Sequence, residues 1–519
     1  MYSAPMRWPW FAIAFALYPI LHIAASNPGQ VEASTLTLVV ITTIVTSSVL
    51  LAALRMLLGN WIRAGLGMTW FIILFFAYGP LNASFSGLGG EPDMQLRAAT
   101  DWSDERIQIV HSLLWFLLLL SGWLMLRRIG EVGRLPAALN LIAGLLLSFV
   151  LLHWFTGADL HASATREQAP SVAVAEERPD IYFILLDGYA RADVLGQHYG
   201  FDNKPFLDGL QRRGFQVSAA SDSNYNWTFL SLASALNMDY VQNLMGDALD
   251  PRGTDREDAY RLLRDNRAAS FLQARGYRYI HLQSTWGGTG SNPYADEFLP
   301  CGGGPFRDDF LLAIAEASWL RALGSRATMD LADCHLRNFE TLIALARKPG
   351  PKLVLAHFVP PHHPYLFDRD GRVLRNARLS NQFEFQKQLW EQRDSYVDQL
   401  IFMNSRIEQL LDHLIADSAR DPIILLQSDH GPNLRRGLPT AEHYRIRLAN
   451  LNAVLLPGAP MDLMPENATS VNLFRIIFNH YFDARLPLLP NRHFVSPFQE
   501  PFNFKEVSRD GVRLEDVVE

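Results

Sequence analysis

Acids and imidazoles stand at the ends of apolar runs in the second half of this chain. Asp187 follows Ile181–Leu186 (IYFILL) and precedes Gly188, while Asp429-His430-Gly431 follows the run PIILLQ at 422–427 and Ser428. Carboxylate and imidazole together suit a divalent cation, and a glycine behind each lets backbone or ligand approach closely. A third cluster, Pro361-His362-His363-Pro364-Tyr365, follows the run KLVLAHFV at 352–359, which carries His357. Between these lies SNYNWTFLSLASALNMDY at 223–240, with hydroxyls at Thr228, Ser231 and Ser234 spaced three apart, as on one helix face. Thr228 stands where that helix should start. A helix start favours anions, and a hydroxyl beside a cation ionises more easily and can attack phosphorus or sulfur. Taken singly, each residue has a plainer reading: Asp187 as a turn residue capping the next helix, Thr228 as an N-cap.

The elements around these residues would bring them together. Short apolar runs without a polar face at 181–186, 277–282, 352–359, 422–427 and 452–456 read as strands buried on both sides. Helical periodicity separates them, at 205–213, 268–275 and 381–417. That alternation predicts an α/β fold with a mostly parallel, doubly wound sheet. Such sheets bind ligands beyond the carboxyl ends of their strands, so the clusters should converge on one rim, a geometry suited to a metal site. His443 and Arg445 precede the last strand and could face the rim or solvent; Asn226 could bond a phosphate or simply shape a turn.

The first third of the 519 residues is different in kind. Apolar stretches at 10–25, 35–54, 66–81, 108–126 and 137–155 each approach the about 20 residues needed to cross a roughly 30 Å hydrocarbon core, and backbone in a bilayer must bond to itself as helix. With the N-terminus in the cytoplasm, Arg7, Arg55, Arg63, Arg127, Arg128 and Arg134 fall inside, and only Arg97 and Arg106 outside. The sequence therefore predicts a five-span α-helical bundle over 1–155, a linker over 156–178, and a domain over 179–519 on the far side. That location permits a disulfide between Cys301 and Cys334, the chain's two cysteines. A formal net charge of -7 with no Lys/Arg-rich run argues against nucleic acid as a partner, and 49% hydrophobic residues exclude a disordered chain.

Together these motifs resemble the alkaline phosphatase superfamily, in particular its sulfatase-like membrane branch of lipoteichoic acid synthases and phosphoglycerol or phosphoethanolamine transferases. Sulfatases carry a nucleophile followed by a helix reading roughly Cys-x-Pro-Ser-Arg-x-Ser-Leu-Leu-Thr-Gly. Counted from Thr228, this chain has Ser231, Ser234, Leu236 and Met238 at +3, +6, +8 and +10, with Thr as nucleophile, as in the membrane transferases. Ser428-Asp429-His430-Gly431 resembles the family's Ser-Asp-His-Gly metal motif. His362-His363-Pro364-Tyr365 resembles its His-x-Pro-Tyr segment, and Asp187 its first metal ligand. No Cys-x-Pro-x-Arg is present, so the formylglycine of true sulfatases cannot form at 228, and Leu232 replaces the arginine that follows it.

The resemblance implies a metal held by Asp187, Thr228, Asp429 and His430, its identity open among Mn, Mg, Zn and Ca. It implies Thr228 and His362 as catalytic residues, with His357, His363, Asn226, His443 and Arg445 as candidates for holding substrate. The expected activity is transfer of a phospho-headgroup from a membrane lipid donor to an envelope glycan, lipid or polymer. A metal-dependent phosphodiesterase or sulfuric ester hydrolase is the alternative, and a catalytically silent envelope scaffold a third reading. The expected location is a bacterial inner membrane, with the catalytic domain periplasmic.

Overall fold

The computed structural model describes residues 8–27, 31–87, 104–128, 130, 133–158, 178–320, 324–374, 392–432 and 440–508. Most of the predicted linker 156–178, and 381–391 of the predicted helix 381–417, lie outside the described residues. The chain divides into two compact units, one of Met1–Ala164 with Phe310–Leu323, the other of Thr165–Asp309 with Gly324–Glu519.

In the first unit, helices Phe11–Ala25, Ala33–Leu58, Trp61–Gly87, Asp104–Arg128 and Leu135–Ala158 occupy the five apolar stretches. Three of them, over Ala33–Leu58, Trp61–Tyr78 and Leu135–Leu152, are long and apolar enough to cross a membrane. Phe11–Ala25 has 15 residues and rises only about 22 Å, less than a hydrocarbon core. Of the five expected spans, three are thus supported by length and composition among the described residues. Small residues allow close helix packing here: Ala12, Ala16, Ala64 and Ala143 are buried together with Phe11, Leu51 and Met68. Asn140, buried in the same unit, accepts from Phe11 N at 3.0 Å and donates to Trp8 O at 3.1 Å, satisfying backbone that a helix start leaves open. Phe310 and Ile314, from the sequence assigned to the far-side domain, pack in this unit against Ile20 and Ala24.

The second unit is built on a seven-stranded sheet. Its strands are β1 (Ile181–Leu186), β2 (Gln216–Val217), β3 (Arg278–Leu282), β4 (Glu297–Leu299), β5 (Lys352–Phe358), β6 (Ile423–Gln427) and β7 (Asn452–Leu455), in the order β2-β7-β6-β1-β5-β3-β4. β4, β3, β5, β1 and β6 run parallel; β7 runs antiparallel to β6, and β2 to β7. The reversal at β7 has a simple cause. The connection from β6 starts and ends at the same rim, with Gln427 opposite Asn452 and Ser428 N donating to Leu451 O at 2.8 Å, so the chain enters β7 heading back.

β1, β5 and β6 are buried along their whole length, which accounts for runs with no polar face. Alternate residues pack in opposite directions. Ile181, Phe183, Leu185, Leu353, Leu355, Ile423 and Leu425 join Leu232, Leu236, Leu473 and Phe474 of the helices Thr228–Asn237 and Ser470–Phe482. Phe358 stacks at 4.4 Å on Phe339 of the helix Gly324–Ala346. Cys301 and Cys334 form a disulfide.

Candidate active site

The rim is formed where β5, β1 and β6 end side by side. Asp187 is the residue after β1, Asp429 and His430 come directly after Ser428 at the end of β6, and His357 is the penultimate residue of β5. Cross-links fix the rim. Asp187 N donates to Phe358 O at 2.9 Å, Gly188 N to Asp429 Oδ1 at 3.1 Å, and Tyr189 N to Ser428 Oγ at 2.9 Å. Gly188 has φ +64 and His362 beside it, a backbone conformation and a closeness that favour glycine. Gly431 is required for space: a Cβ there would run into the carbonyl oxygens of Ile446 and Ala449.

Asp187, Asp429 and His430 offer one ligand atom each within 4.8 Å of one another, all buried. Asp187 Oδ1, Asp429 Oδ2 and His357 Nε2 are buried atoms without a hydrogen-bond partner among the described residues. Such atoms are costly unless something not made of protein satisfies them. His430 Nδ1 lies 2.8 Å from Gly431 O, which only accepts, so Nδ1 carries the proton and Nε2 the lone pair. That lone pair faces Asp429 Oδ2 at 3.1 Å and Asp187 Oδ1 at 3.7 Å. Two acceptors at 3.1 Å call for a proton or a cation between them. Burial holds the His430 imidazole well below its usual value, which keeps it a neutral ligand. Burial, helped by the neighbouring Asp187 carboxylate, pushes Asp429 up to about 7. The donor set, two carboxylates and a neutral imidazole among unsatisfied oxygens, fits a divalent cation.

Thr228 meets this group from the side. Trp227 is the N-cap of the helix Thr228–Asn237, and Thr228 is its first residue. The hydroxyl is thus released from capping, and Oγ1 lies 3.1 Å from His430 Nε2. Thr228 is half-buried while the residues behind it on the helix are buried, so a substrate can reach it. Ser231 Oγ donates to Tyr225 O, and Ser234 Oγ to Asp239 O; these hydroxyls serve the backbone.

The histidines of the 361–365 segment divide in role. His362 Nδ1 lies 2.7 Å from His363 O and its ring 6.3 Å from that of His430, so its Nε2 also carries a lone pair; burial lowers its pKa. His363 is buried and stacks on His362 with ring centroids 4.1 Å apart. His357 Nδ1 pairs with Thr289 Oγ1 at 2.7 Å, and Nε2 lies 3.6 Å from Asp187 Oδ2. It therefore borders the carboxylates rather than an open pocket.

Three expected substrate residues are placed differently. Asn226 is buried with both side-chain ends tied to the backbone of Ser496, at 3.0 and 3.1 Å; its amide has been spent on fixing the chain before Thr228. Arg445 is exposed and paired with Glu442 at 3.2 Å. His443 is half-buried on the helix Thr440–Leu448. On that helix a different residue, Arg447, four positions beyond His443, enters the site. Arg447 is buried, with Nε donating to Asn226 O and Nη1 to Gly431 O at 3.0 Å each, and Nη2 lying 2.8 Å from His430 Nε2. Burial brings its pKa down to about 10, leaving it cationic at neutral pH. Its sequence signal was a charge flanked by Ile446 and Leu448 in a run leading into a strand.

Gln399 was also missed. It is fully buried on the helix Arg393–Asp417, in an apolar stripe with Tyr396, Leu400 and Met403. Its Oε1 accepts from Leu366 N and Phe367 N; its Nε2 donates to the carbonyls of Pro361, His362 and Pro364. One amide thus sets the path of the segment carrying His362. Gln399→Leu should lower turnover by about 10- to 100-fold, in line with residues that orient ligands from behind. Leaving buried backbone groups unsatisfied should also cost about 3 kcal/mol of stability. Steady-state kinetics and thermal melts on one preparation check both.

The family model described as Sulfatase matches residues 179–481. The C-terminal periplasmic domain of EcEptC from Escherichia coli is similar in structure at 13% identity, covering 63% of this chain and 92% of that chain, with a TM-score of 0.41. The C-terminal periplasmic domain of the phosphoethanolamine transferase EptC from Campylobacter jejuni shows 12% identity, 58% and 89% coverage, and a TM-score of 0.39. The soluble domain of lipooligosaccharide phosphoethanolamine transferase A from Neisseria meningitidis shows 14%, 59% and 89%, and 0.38. No curated protein sequence matches the chain.

Proposed function

The chain belongs to the sulfatase family, and from that premise we propose that it is a membrane-anchored, metal-dependent phosphotransferase with Thr228 as its nucleophile. One observation carries the reading: a helix-start hydroxyl 3.1 Å from the His430 nitrogen that faces two buried, incompletely bonded carboxylates. Asp187, Asp429 and His430, with Thr228 as a fourth donor, would hold the cation. When bound, the cation supplies Lewis acidity that lowers the hydroxyl's pKa and offsets charge on the transferred group.

The protein's residues do the rest. His362 Nε2 takes the Thr228 proton, directly or through one water, as Oγ bonds to the phosphorus of a phospholipid headgroup. The phosphorus–oxygen bond to the diacylglycerol breaks, and the same imidazole returns the proton to that leaving oxygen. In the second half an envelope hydroxyl attacks the phospho-threonine, His362 takes its proton, and Thr228 Oγ recovers it on leaving. A neutral histidine at rest suits this exchange. Attachment to apolar helices keeps the catalytic domain with a membrane, raising the effective concentration of lipid donors. The arginine asymmetry of the first third supports a multi-span anchor in an inner membrane, oriented with the domain in the periplasm.

Labelled phosphatidylglycerol and phosphatidylethanolamine test the reading. Label on Thr228 in a quenched reaction, chased by an acceptor alcohol, is the expected result. Label chased only by water makes the enzyme a hydrolase, and a folded protein that takes neither cation nor label is a scaffold.

The position of Asp429 also sets a pH dependence. Its carboxyl is pushed up to about 7, so a cation must displace a proton below that pH. Divalent-cation affinity should rise about tenfold per pH unit up to roughly 7 and then flatten, as calorimetric titration between pH 5.5 and 8.5 would show.

A further inference from the structure

Arg447 has no place in the mechanism above, although it touches the same atom as the nucleophile. Two of its nitrogens are fixed to the carbonyls of Asn226 and Gly431 at 3.0 Å. Those residues lie two before Thr228 and one after His430, so the guanidinium is strapped across the two segments that form the site. Trp227 borders it, with its ring centroid 5.5 Å from Cζ. The third nitrogen, Nη2, donates at 2.8 Å to His430 Nε2. That nitrogen has one lone pair in the plane of the ring. A guanidinium and a metal cation cannot both use it.

We infer that Arg447 competes with the cation for His430 and, once displaced, binds the non-bridging oxygens of the phosphoryl group at Thr228. The inference rests on the phosphotransferase reading. The displacement it needs is small, because Nε and Nη1 keep their backbone carbonyls while Nη2 swings from the imidazole toward Thr228 Oγ1, itself 3.1 Å from the same nitrogen. A planar, permanently charged donor fork suits phosphoryl oxygens, and its two carbonyl anchors keep the group at the site throughout the exchange. Arg447 would thereby tie cation binding to phosphoryl recognition: the group that holds the lone pair is the one the substrate needs freed.

The test uses full-length wild type, Arg447→Met and Arg447→Lys in detergent, titrated calorimetrically with Zn2+ and Mn2+, then with orthovanadate on the metal-loaded proteins. Arg447→Met should bind metal about tenfold more tightly and orthovanadate at least tenfold more weakly. Arg447→Lys, which keeps the charge without the fork, should fall between. A merely structural role predicts the opposite sign for metal, since a loosened site binds it less well. Unchanged or weakened metal binding in the folded variants, or unchanged orthovanadate binding, would overturn the inference. If Arg447→Met does not fold, Arg447→Lys decides on the same criteria. Asp429→Asn separates the two levels. If wild type binds metal, Asp429→Asn does not, and the Arg447 variants match wild type, then this inference fails alone. A folded wild type that binds no metal sinks it together with the reading it rests on.

Discussion

Thr228→Ala is expected to remove turnover almost entirely, by a factor on the order of 10^4 to 10^6, as loss of a covalent nucleophile does elsewhere. The fold should hardly register the change. Among the described residues Thr228 Oγ1 has one polar partner, His430, and the helix it opens is packed through Phe229, Leu230, Leu232, Ala233 and Leu236. The cation should still bind, more weakly, because Asp187, Asp429 and His430 remain. Activity and structure therefore separate in this variant: no phospho-enzyme, near-native melting, residual metal uptake. Thr228→Ser should retain covalent labelling, since the oxygen stays and only a methyl group is lost. Quenched-flow labelling with mass-spectrometric mapping of the phosphorylated residue decides it. Label persisting elsewhere in Thr228→Ala would remove Thr228 from the mechanism.

The parts legible in the sequence were those where one local pattern has one physical cause. Strands buried on both faces must be apolar without alternation, so β1, β3, β5, β6 and β7 stood out, and the residues at the ends of β1, β5 and β6 were brought to one rim by the rule for parallel sheets. The antiparallel entry into β7 was not legible, because a helical connection normally implies a crossover, and only the pairing of Gln427 with Asn452 reveals the return. The two-residue β2 and three-residue β4 carry too little pattern to be seen. Asn226 stays open in the sequence because an asparagine before a helix looks the same whether its amide meets substrate or, as here, the backbone of Ser496. Arg445 was preferred over Arg447 for want of a helical phase. The residues turn by about 100° each, so neighbours two apart face nearly opposite ways, and the arginine between Ile446 and Leu448 is the buried one. Five spans were expected from apolarity alone, and the short helix Phe11–Ala25 shows that an apolar stretch and a spanning length are separate properties.

Asp429→Asn should abolish cation binding and with it activity, while making the cation-free protein more stable. The two carboxylate oxygens have different surroundings. Oδ1 accepts from Gly188 N, and an asparagine oxygen would do the same. Oδ2 faces His430 Nε2 at 3.1 Å and has no hydrogen bond among the described residues. An amide N–H2 placed there is neutral and needs neither proton nor cation beside an imidazole nitrogen that Arg447 Nη2 already meets at 2.8 Å. The variant thus satisfies the site from within, and the carboxylate charge that a divalent ion requires is gone. A carboxyl raised to about 7 in the folded protein, against about 3.9 unfolded, binds its proton more tightly when folded. Its contribution is therefore complete below about pH 4 and is lost as pH climbs through 7. Asparagine has no such loss, so the stability advantage of Asp429→Asn should open between pH 4 and 7 and hold above it. At pH 8, in chelator, an apparent melting temperature about 2–4 °C above wild type is expected, reversing when divalent cation is added, because only wild type can bind it. A variant that melts below wild type at every pH would mean that Oδ2 is satisfied in some way the proposed metal site does not include, and the two carboxylates would lose their claim to a cation.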